Sequence, residues 1–240
     1  MSDLVTVTHH GDVSEIALNR PDKRNALSGP LVEQLLRALD LVEQKGAHAL
    51  VLRGEGKNFS AGFDFGDLAA QSQADLMLRF VRIEMLLQRL ASSGCLTIGM
   101  AHGRNFGAGV DVFAACRLRF CAPDTTFRMP GLKFGVVLGT RRFAALVGRE
   151  KARRILECST TFNASEAIEM GFADAVLPDA DASRCLDIAR ERIGLLPASS
   201  RQRLYDALPY ETADTDLALL VRSCADPDFK ARIERYLAES

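Results

Sequence analysis

Two glycine-bearing segments have residue types and spacing that could carry chemistry. They are residues 58–64, Asn-Phe-Ser-Ala-Gly-Phe-Asp, and residues 102–111, His-Gly-Arg-Asn-Phe-Gly-Ala-Gly-Val-Asp. Each follows an apolar stretch that predicts a strand. Glycine lets the backbone bend sharply and lets a ligand approach main-chain N–H groups that a Cβ would shield. One N–H group from each segment could therefore form an oxyanion hole, and ordinary strand-to-helix connections are the alternative interpretation.

Other catalytic motifs fit the sequence less well. The second segment is not G-x-G-x-x-G and lacks the Lys-Ser/Thr of a phosphate-binding loop, so it indicates neither a dinucleotide nor a nucleoside triphosphate. Ser60 lies one residue away from a nucleophile elbow, but no apolar helix opens after it and no histidine can be assigned as the base, which disfavours a serine hydrolase. Cys116 and Cys121 form the only close cysteine pair, and nothing near them completes a metal site.

The elements that would position these segments alternate between strand and helix. Apolar strands are predicted at residues 13–18, 49–52, 95–101 and 118–122. Amphipathic helices are predicted between them, at residues 30–44, 74–90 and 110–115. This alternation is typical of an α/β protein whose sheet is covered by helices.

Beyond residue 140 the pattern becomes mostly helical. Asn163 with Glu166 three residues later predicts a capping box, and Asp226-Pro227 predicts an N-cap followed by a first-turn proline. Seven helices are predicted, at residues 141–147, 150–158, 165–170, 181–193, 198–208, 214–224 and 226–238. We therefore predict an α/β core over residues 1–195 and a C-terminal helical region over residues 196–240.

The composition excludes several classes of protein. With 240 residues, 48% of them hydrophobic and 25% charged, the chain has the profile of a soluble globular protein. The formal net charge of -1 gives no global reason to bind nucleic acid or an anionic membrane. No apolar run approaches the roughly 20 residues of a membrane span. The six cysteines are scattered and the N-terminus lacks a signal-peptide pattern, which predicts free thiols and a cytoplasmic location.

Five motifs in order along the chain resemble those of the enoyl-CoA hydratase/isomerase (crotonase) family. They are Asn19-Arg-Pro-x-x-Arg-Asn-Ala-Leu27, Phe-Ser-Ala-Gly-Phe-Asp64, His102-Gly-x-x-x-Gly-Ala-Gly109, Phe127-x-x-Pro-x-x-x-x-Gly135 and Asn163-Ala-Ser-Glu-Ala-x-x-x-Gly-Phe-Ala-Asp174. The resemblance covers about residues 4–180, and the tail Asp226-Pro-Asp-Phe-Lys-Ala is similar to the family's last helix. It implies a crotonase-like spiral of ββα units with a helical C-terminal trimerisation region, and hence a homotrimer or a dimer of trimers.

The resemblance also implies which residues would meet an acyl-CoA substrate. The thioester carbonyl would lie between the backbone N–H groups of Phe63 and Ala108. Coenzyme A would be bound as part of the substrate, and no tightly bound cofactor or metal is expected. The residues that match coenzyme A-binding positions are Arg20, Lys23 and Arg24 in the first motif, Ala26, Ala61 and Asp64 near the adenine, and Lys230 in the tail. A solvated turn is the alternative interpretation of the basic cluster.

The acid/base residues depart from the family pattern. Typical hydratases use two glutamates, and the matching positions here are Asp111 and Gly131. Asp111 could act as a general base, or it could only stabilise the positive end of a helix. The isomerase branch has a single glutamate near Leu138-Gly139, where this chain has no acid. The dihydroxynaphthoyl-CoA synthase branch also has a glycine at the position of Gly131, but its further polar residues are replaced here by residues 136–138, Val-Val-Leu.

The expected function is therefore an acyl-CoA enzyme of this family, most simply an enoyl-CoA hydratase in which Asp111 is the one acid/base residue. A non-catalytic or weakly catalytic subunit that binds coenzyme A thioesters is the alternative from a different class. Arg141 and Arg142 could hold an anion near the site or could be surface charges at a helix start. The missing second carboxylate makes efficient hydration unfavourable, because one acid/base residue typically contributes roughly 10²–10⁴-fold.

Overall fold

The computed structural model describes residues 3–178, 182–209 and 212–239. Nine strands lie in these residues, and they are β1 (Val5–His10), β2 (Val13–Leu18), β3 (Ala49–Gly54), β4 (Leu96–Ala101), β5 (Arg104–Phe106), β6 (Leu118–Cys121), β7 (Thr126–Arg128), β8 (Phe162–Asn163) and β9 (Ala175–Val176). Strands β2, β3, β4 and β6 agree with the sequence predictions to within two residues. Strands β5, β7, β8 and β9 were not predicted, because two or three residues are too few to show a hydrophobic period.

The strands form two sheets. The larger sheet has the order β1-β2-β3-β4-β6-β9, in which β1 pairs with β2 antiparallel and the remaining neighbours are parallel. All six residues of β2 and of β4 are buried, as expected for parallel strands covered on both faces. The smaller sheet has the order β5-β7-β8 and lies next to the second glycine segment in sequence. The predicted α/β class is therefore correct.

Ten helices lie in the described residues. They are α1 (Gly29–Gln44), α2 (Gln73–Ala91), α3 (Ala108–Ala114), α4 (Thr140–Val147), α5 (Arg149–Cys158), α6 (Ala164–Glu169), α7 (Ala182–Gly194), α8 (Ala198–Ala207), α9 (Ala213–Cys224) and α10 (Phe229–Ala238). The capping box at Asn163 and Glu166 is present, with hydrogen bonds of 3.0 and 2.7 Å. The predicted start at Asp226-Pro227 is wrong. The Asp226 carboxylate accepts the N–H of Asp228 at 2.9 Å and pairs with Arg232, which forms a turn before α10 begins.

Aromatic rings fill the core behind α3. Phe113 of α3 stacks on Phe127 of β7 with ring centroids 5.3 Å apart, and Phe172 lies edge-on to Phe127 at 5.2 Å. Phe143 and Phe162 complete this cluster, and all five rings are buried. Such ring pairs contribute about 0.5–1.5 kcal/mol each beyond their buried area. The packing fixes the helix whose first turn carries Ala108 and Asp111.

The C-terminal helices α9 and α10 lie against α2. Gln73 at the start of α2 donates from Nε2 to the Asp226 carbonyl at 2.8 Å, and the Phe229 ring of α10 lies edge-on to Phe80 at 5.9 Å. The division at residue 195 and the trimerisation stay predictions. No helix in the described ranges is long and apolar enough to cross a membrane. All six cysteines are free thiols, and five of them are buried.

Candidate active site

The direction of the Phe63 amide follows from how its segment pairs with Leu27. Phe63 forms a single parallel bridge with Leu27. The Leu27 N–H donates to the Gly62 carbonyl at 2.7 Å, and the Leu27 carbonyl accepts the N–H of Asp64 at 3.4 Å. Because successive N–H groups of an extended chain point in opposite directions, the Phe63 N–H points away from Leu27. Gly62 has a φ of 82°, which an L-residue rarely adopts, and this bend is what turns the segment.

The Ala108 amide is the first N–H of α3. Gly107 is the N-cap residue with φ 46° and ψ -121°, and its own N–H is held by the Arg128 carbonyl at 2.8 Å. The first four N–H groups of a helix have no partner within the helix, so the Ala108 N–H is available to a ligand. Within the described residues, neither the Ala108 nor the Phe63 N–H donates to a protein carbonyl.

The two glycine segments meet at Gly62. A Cβ built on Gly62 would overlap the Phe106 carbonyl oxygen and would lie 3.3 Å from the Ala108 nitrogen. Gly109 makes a second close approach, since a Cβ there would lie 2.6 Å from the Ser60 carbonyl oxygen. Ser60 is itself buried and donates from Oγ to the Asn25 carbonyl at 2.8 Å, so its hydroxyl is engaged in the scaffold. Glycine at both positions allows the segments to pack backbone to backbone.

A cavity of about 1010 Å³ lies over this junction. Its wall includes Phe63, Ala108, Asp111 and Gly131, together with Arg24 and Ala61. Further aromatic residues line the cavity, and they are Phe65, Phe80, Phe106, Phe134 and Tyr236. Of the described residues that line the cavity, the carboxylic acids are Asp111 and Glu239, and Glu239 lies at the end of α10.

Asp111 is buried, with 3% of its surface exposed, and its Oδ1 atom has no hydrogen-bond partner. Gly139, at φ 61°, packs directly against this carboxyl group, and a Cβ at that position would overlap Oδ1. Burial raises the pKa of Asp111 well above 3.8; the Arg142 charge opposes this shift and the Glu84 charge adds to it. A buried carboxyl without a donor favours its neutral form. Asp111 therefore keeps its proton to a higher pH than an ordinary aspartate.

Arg142 lies inside the protein, whereas the sequence left open a surface position or an anion site. Its Nη2 atom lies 3.0 Å from Glu84 Oε1 and 4.0 Å from Asp216 Oδ2. Arg141 is half-exposed and lies 3.3 Å from Asp216 Oδ1. Burial raises the pKa of Glu84, and the Arg142 charge opposes that shift. Sequence reasoning missed this cluster because Glu84, Arg142 and Asp216 come from three distant helices.

Gly131 also lines the cavity and has no side chain that could transfer a proton. It begins a short 3₁₀ turn that runs from Gly131 to Phe134. The nearest atoms to a Cβ built there are the Val136 carbonyl oxygen at 3.3 Å and the Val136 Cβ at 3.9 Å. Val136 and Leu138 give this part of the cavity an apolar surface.

The predicted coenzyme A-binding residues fall into two groups. Arg24 and Ala61 line the cavity, and Lys23 is exposed beside Arg24. The others make contacts within the protein. Arg20 pairs with the Asp64 carboxylate and donates to the Ala26 carbonyl at 3.1 Å. Lys230 donates to the Gln71 and Ala69 carbonyls at 2.7 and 3.4 Å.

Asp64 is more strongly ionised than an ordinary aspartate. Burial opposes this, but hydrogen bonds from the Gly66 N–H and from Arg20 lower the pKa of Asp64. The charged Asp64–Arg20 pair therefore fixes the end of the first glycine segment. Among the described residues, no group of three or more His, Cys, Asp or Glu side chains could hold a metal ion.

Comparison with known proteins identifies the family. The profile of the enoyl-CoA hydratase/isomerase family matches residues 8–209, and the chain belongs to this family. It is 34% identical over 192 residues to "Probable enoyl-CoA hydratase echA6" of Mycobacterium bovis, which covers 78% of this chain and 76% of that protein. The ethylmalonyl-CoA decarboxylase of Bos taurus is 27% identical over 181 residues, covering 73% of this chain and 59% of its own length.

Solved structures agree with this assignment. A crystal structure from Bordetella parapertussis, described as an enoyl-CoA hydratase/isomerase, is 49% identical and covers 100% of both chains with a TM-score of 0.96. The fold is therefore crotonase-like, with a helical C-terminal region. The family acts on coenzyme A thioesters, and its members carry the names of different reactions.

Proposed function

We propose that this chain is an acyl-CoA enzyme that stabilises a thioester enolate between the main-chain amides of Phe63 and Ala108. The observation that carries the proposal is the close backbone contact at Gly62, since Phe63 follows this glycine and both Phe63 and Ala108 line the cavity. Each N–H would donate to the thioester oxygen, on which negative charge develops during reaction. Donors fixed before that charge appears stabilise the transition state more than the ground state, by roughly 3–4 kcal/mol each.

Asp111 is proposed as the acid/base residue of the same site. It lies one turn into α3 from Ala108, and its carboxyl group lines the cavity. The sequence predicts a general base, but burial raises the pKa of Asp111, so the carboxyl must lose its proton before it can act as a base. Because of this raised pKa, the Asp111 carboxyl would donate a proton to the α-carbon as water adds to the β-carbon, and the carboxylate so formed would take up the proton that the attacking water loses.

Hydration of a 2-enoyl-CoA is the simplest reaction for this site. Two-carboxylate hydration would be weakened by the glycine at position 131, by roughly 10²–10⁴-fold for one lost acid/base residue. The test is the loss of ultraviolet absorbance of crotonyl-CoA with the unchanged protein and with Asp111→Asn. Turnover that depends on Asp111 supports the proposal. Binding without turnover supports the alternative of a non-catalytic thioester-binding subunit, and absence of binding refutes both.

A second candidate reaction is decarboxylation of a 2-carboxyacyl-CoA. It is favoured by the combination of Asp111, whose pKa is raised by burial, with the apolar surface beside Gly131. Loss of CO₂ leaves its bonding electrons on the α-carbon, so the enolate forms without a base, and Asp111 then supplies the one proton that is needed. A relative is named as an ethylmalonyl-CoA decarboxylase, which is consistent with this chemistry. Release of CO₂ from methylmalonyl-CoA, without loss of the ultraviolet absorbance of crotonyl-CoA, would separate this reaction from hydration.

Two further reactions of the family fit less well. An isomerase-type acid near Gly139 has no space, because a Cβ there overlaps Asp111. A dihydroxynaphthoyl-CoA synthase-like reaction shares the glycine at position 131 but not the polar residues around it. We also propose a cytoplasmic homotrimer or dimer of trimers without a tightly bound cofactor, and light scattering of the purified protein measures the oligomeric state.

A further inference from the structure

Arg79 on α2 contacts both segments of the β-bridge between Leu27 and Phe63, which sets the direction of the Phe63 amide. Its Nη2 atom donates to the Asp64 carbonyl at 2.7 Å and lies 3.5 Å from the Leu27 carbonyl. Asp64 is the residue after Phe63, and Leu27 is the partner of Phe63 across the bridge. One guanidinium group therefore ties the segment that contains Phe63 to the segment that contains Leu27.

The same side chain also packs on the Phe63 ring. The Arg79 guanidinium carbon lies 4.1 Å from the ring centroid, a cation–π contact. Phe80, the next residue of α2, stacks on the Phe63 ring with centroids 4.2 Å apart and an interplanar angle of 14°. Two successive residues of one helix therefore hold the Phe63 side chain, while Arg79 also holds the backbone around it.

Arg79 is itself fixed in place. Its Nη1 atom donates to Gln71 Oε1 at 2.8 Å, and the Gln71 carbonyl accepts the Lys230 ammonium at 2.7 Å. The planar fork of a guanidinium can serve three acceptors and a ring at once, and a lysine ammonium cannot reproduce that geometry. No local pattern marks Arg79 for this role, since it lies among other charged residues of an amphipathic helix.

We infer that Arg79 is a positioning residue that sets the direction of the Phe63 N–H toward the thioester oxygen. This inference rests on the proposed function of Phe63 and Ala108. The Ala108 amide is fixed by the start of α3, whereas the Phe63 amide belongs to a connecting segment with one bridge. A displacement of about 1 Å at a reacting centre can cost roughly 10²-fold in rate, so Arg79, together with the Arg20–Asp64 pair, would brace a segment whose small movements matter.

The test compares Arg79→Lys and Arg79→Met with the matched changes Arg82→Lys and Arg82→Met. Arg82 lies one turn further along α2 and pairs with Glu33 outside the cavity. The readouts are the red shift of bound cinnamoyl-CoA, which reports polarisation of its carbonyl, the affinity for free coenzyme A, and kcat and KM for crotonyl-CoA. Both Arg79 variants should lose more than half of the red shift and about 10- to 100-fold in kcat. Affinity for free coenzyme A should stay within twofold, and the Arg82 variants should match the unchanged protein.

Each other outcome decides the question. If folded Arg79→Lys and Arg79→Met keep the full red shift and a kcat within threefold, Arg79 has no positioning role. If Arg79→Met does not fold, Gln71→Leu provides a milder variant, because it removes only the anchor of Nη1. A red shift reduced in Gln71→Leu and Arg79→Lys supports the inference, and an unchanged red shift in both overturns it. Absence of any red shift in the unchanged protein refutes the proposed function itself.

Discussion

The cavity has an amide wall and an acid wall, and the two are built by different means. The amide wall, with Phe63 and Ala108, is made of backbone held by close glycine contacts, a β-bridge and the start of a helix. The acid wall depends on side chains: Asp111, with an unpartnered Oδ1, is its carboxylic acid, and Gly131 stands at the position where typical hydratases have the second. Backbone donors survive most substitutions in their segment, whereas a side-chain acid is lost by one. If the proposed function is right, the amide wall would carry the chemistry common to the family and the acid wall would decide the particular reaction.

The amide wall should fail most completely at Gly62. In Gly62→Ala the new Cβ would overlap the Phe106 carbonyl, and the alanine would have to adopt a φ of 82°. The two segments must therefore separate. Each oxyanion donor contributes roughly 10²–10³-fold, and displacing the pair should lower kcat/KM by at least about 10³-fold. Gly148→Ala is the matched control, because its φ is 84° and nothing lies within 4 Å of the new Cβ. Equal activity of the two variants would contradict the role of the contact.

The acid wall should fail at Asp111 with a smaller loss. Asp111→Asn keeps the shape but cannot transfer the proton, and kcat should fall by about 10²-fold with little change in binding of acyl-CoA. Asp124→Asn, on an exposed turn, serves as the control. If Asp111→Asn keeps its full turnover, Asp111 is not an acid/base residue, and its role is limited to stabilising the positive end of the helix.

A gain of activity would sharpen the comparison further. Gly131→Glu places a second carboxylate on the empty wall, where the neighbouring Val136 carbonyl must yield by a few tenths of an ångström. We expect hydration of crotonyl-CoA to rise by about tenfold, part of the contribution of an acid/base residue. Gly131→Gln is the matched control, because glutamine is about as large as glutamate but cannot transfer a proton. Equal rates for the two variants would show that the wall lacks more than a carboxylate.

Outside both walls, the basic turn should contribute modestly. Arg24→Ala removes an exposed cation at the cavity edge and should weaken binding of free coenzyme A by about two- to fivefold, because an exposed ion pair contributes up to about 1 kcal/mol. Calorimetric titration measures this, with the exposed Arg154→Ala of α5 as the control. Unchanged affinity for coenzyme A would indicate that the basic turn is a solvated loop that does not bind the ligand.

The smallest effect concerns stability and pH. The folded state binds the Asp111 proton more tightly than the unfolded state, because burial raises the pKa of this carboxyl above 3.8. Its contribution is complete below that ordinary value and is lost as the pH rises through the raised pKa. The unchanged protein should therefore lose stability relative to Asp111→Asn as the pH rises. Urea unfolding across the pH range measures the difference, and a constant difference would mean that Asp111 is not held neutral.

The sequence predicts the amide wall better than the acid wall for a physical reason. Glycines at close backbone approaches leave a local pattern, and residues 58–64 and 102–111 could be singled out before any coordinates. The burial of Asp111 and Arg142, and the bond from Arg20 to Asp64, depend on residues far apart in the chain. Local patterns carry no information about such partners. The start of α10 failed for a related reason, since Asp226 bonds to Asp228 in a turn instead of capping a helix.

The last helix, α10, closes the cavity with its own side chains. Phe229 and Ile233 anchor it to the core, and Tyr236 meets Phe134 with ring centroids 5.1 Å apart. Opening of the helix would uncover these apolar groups and the cavity together. A molecule that fills the cavity stabilises only the closed state, so it raises the free energy of that local opening. Hydrogen exchange of the α10 amides should therefore slow on occupancy, and this helix would report a bound ligand before any chemistry is identified.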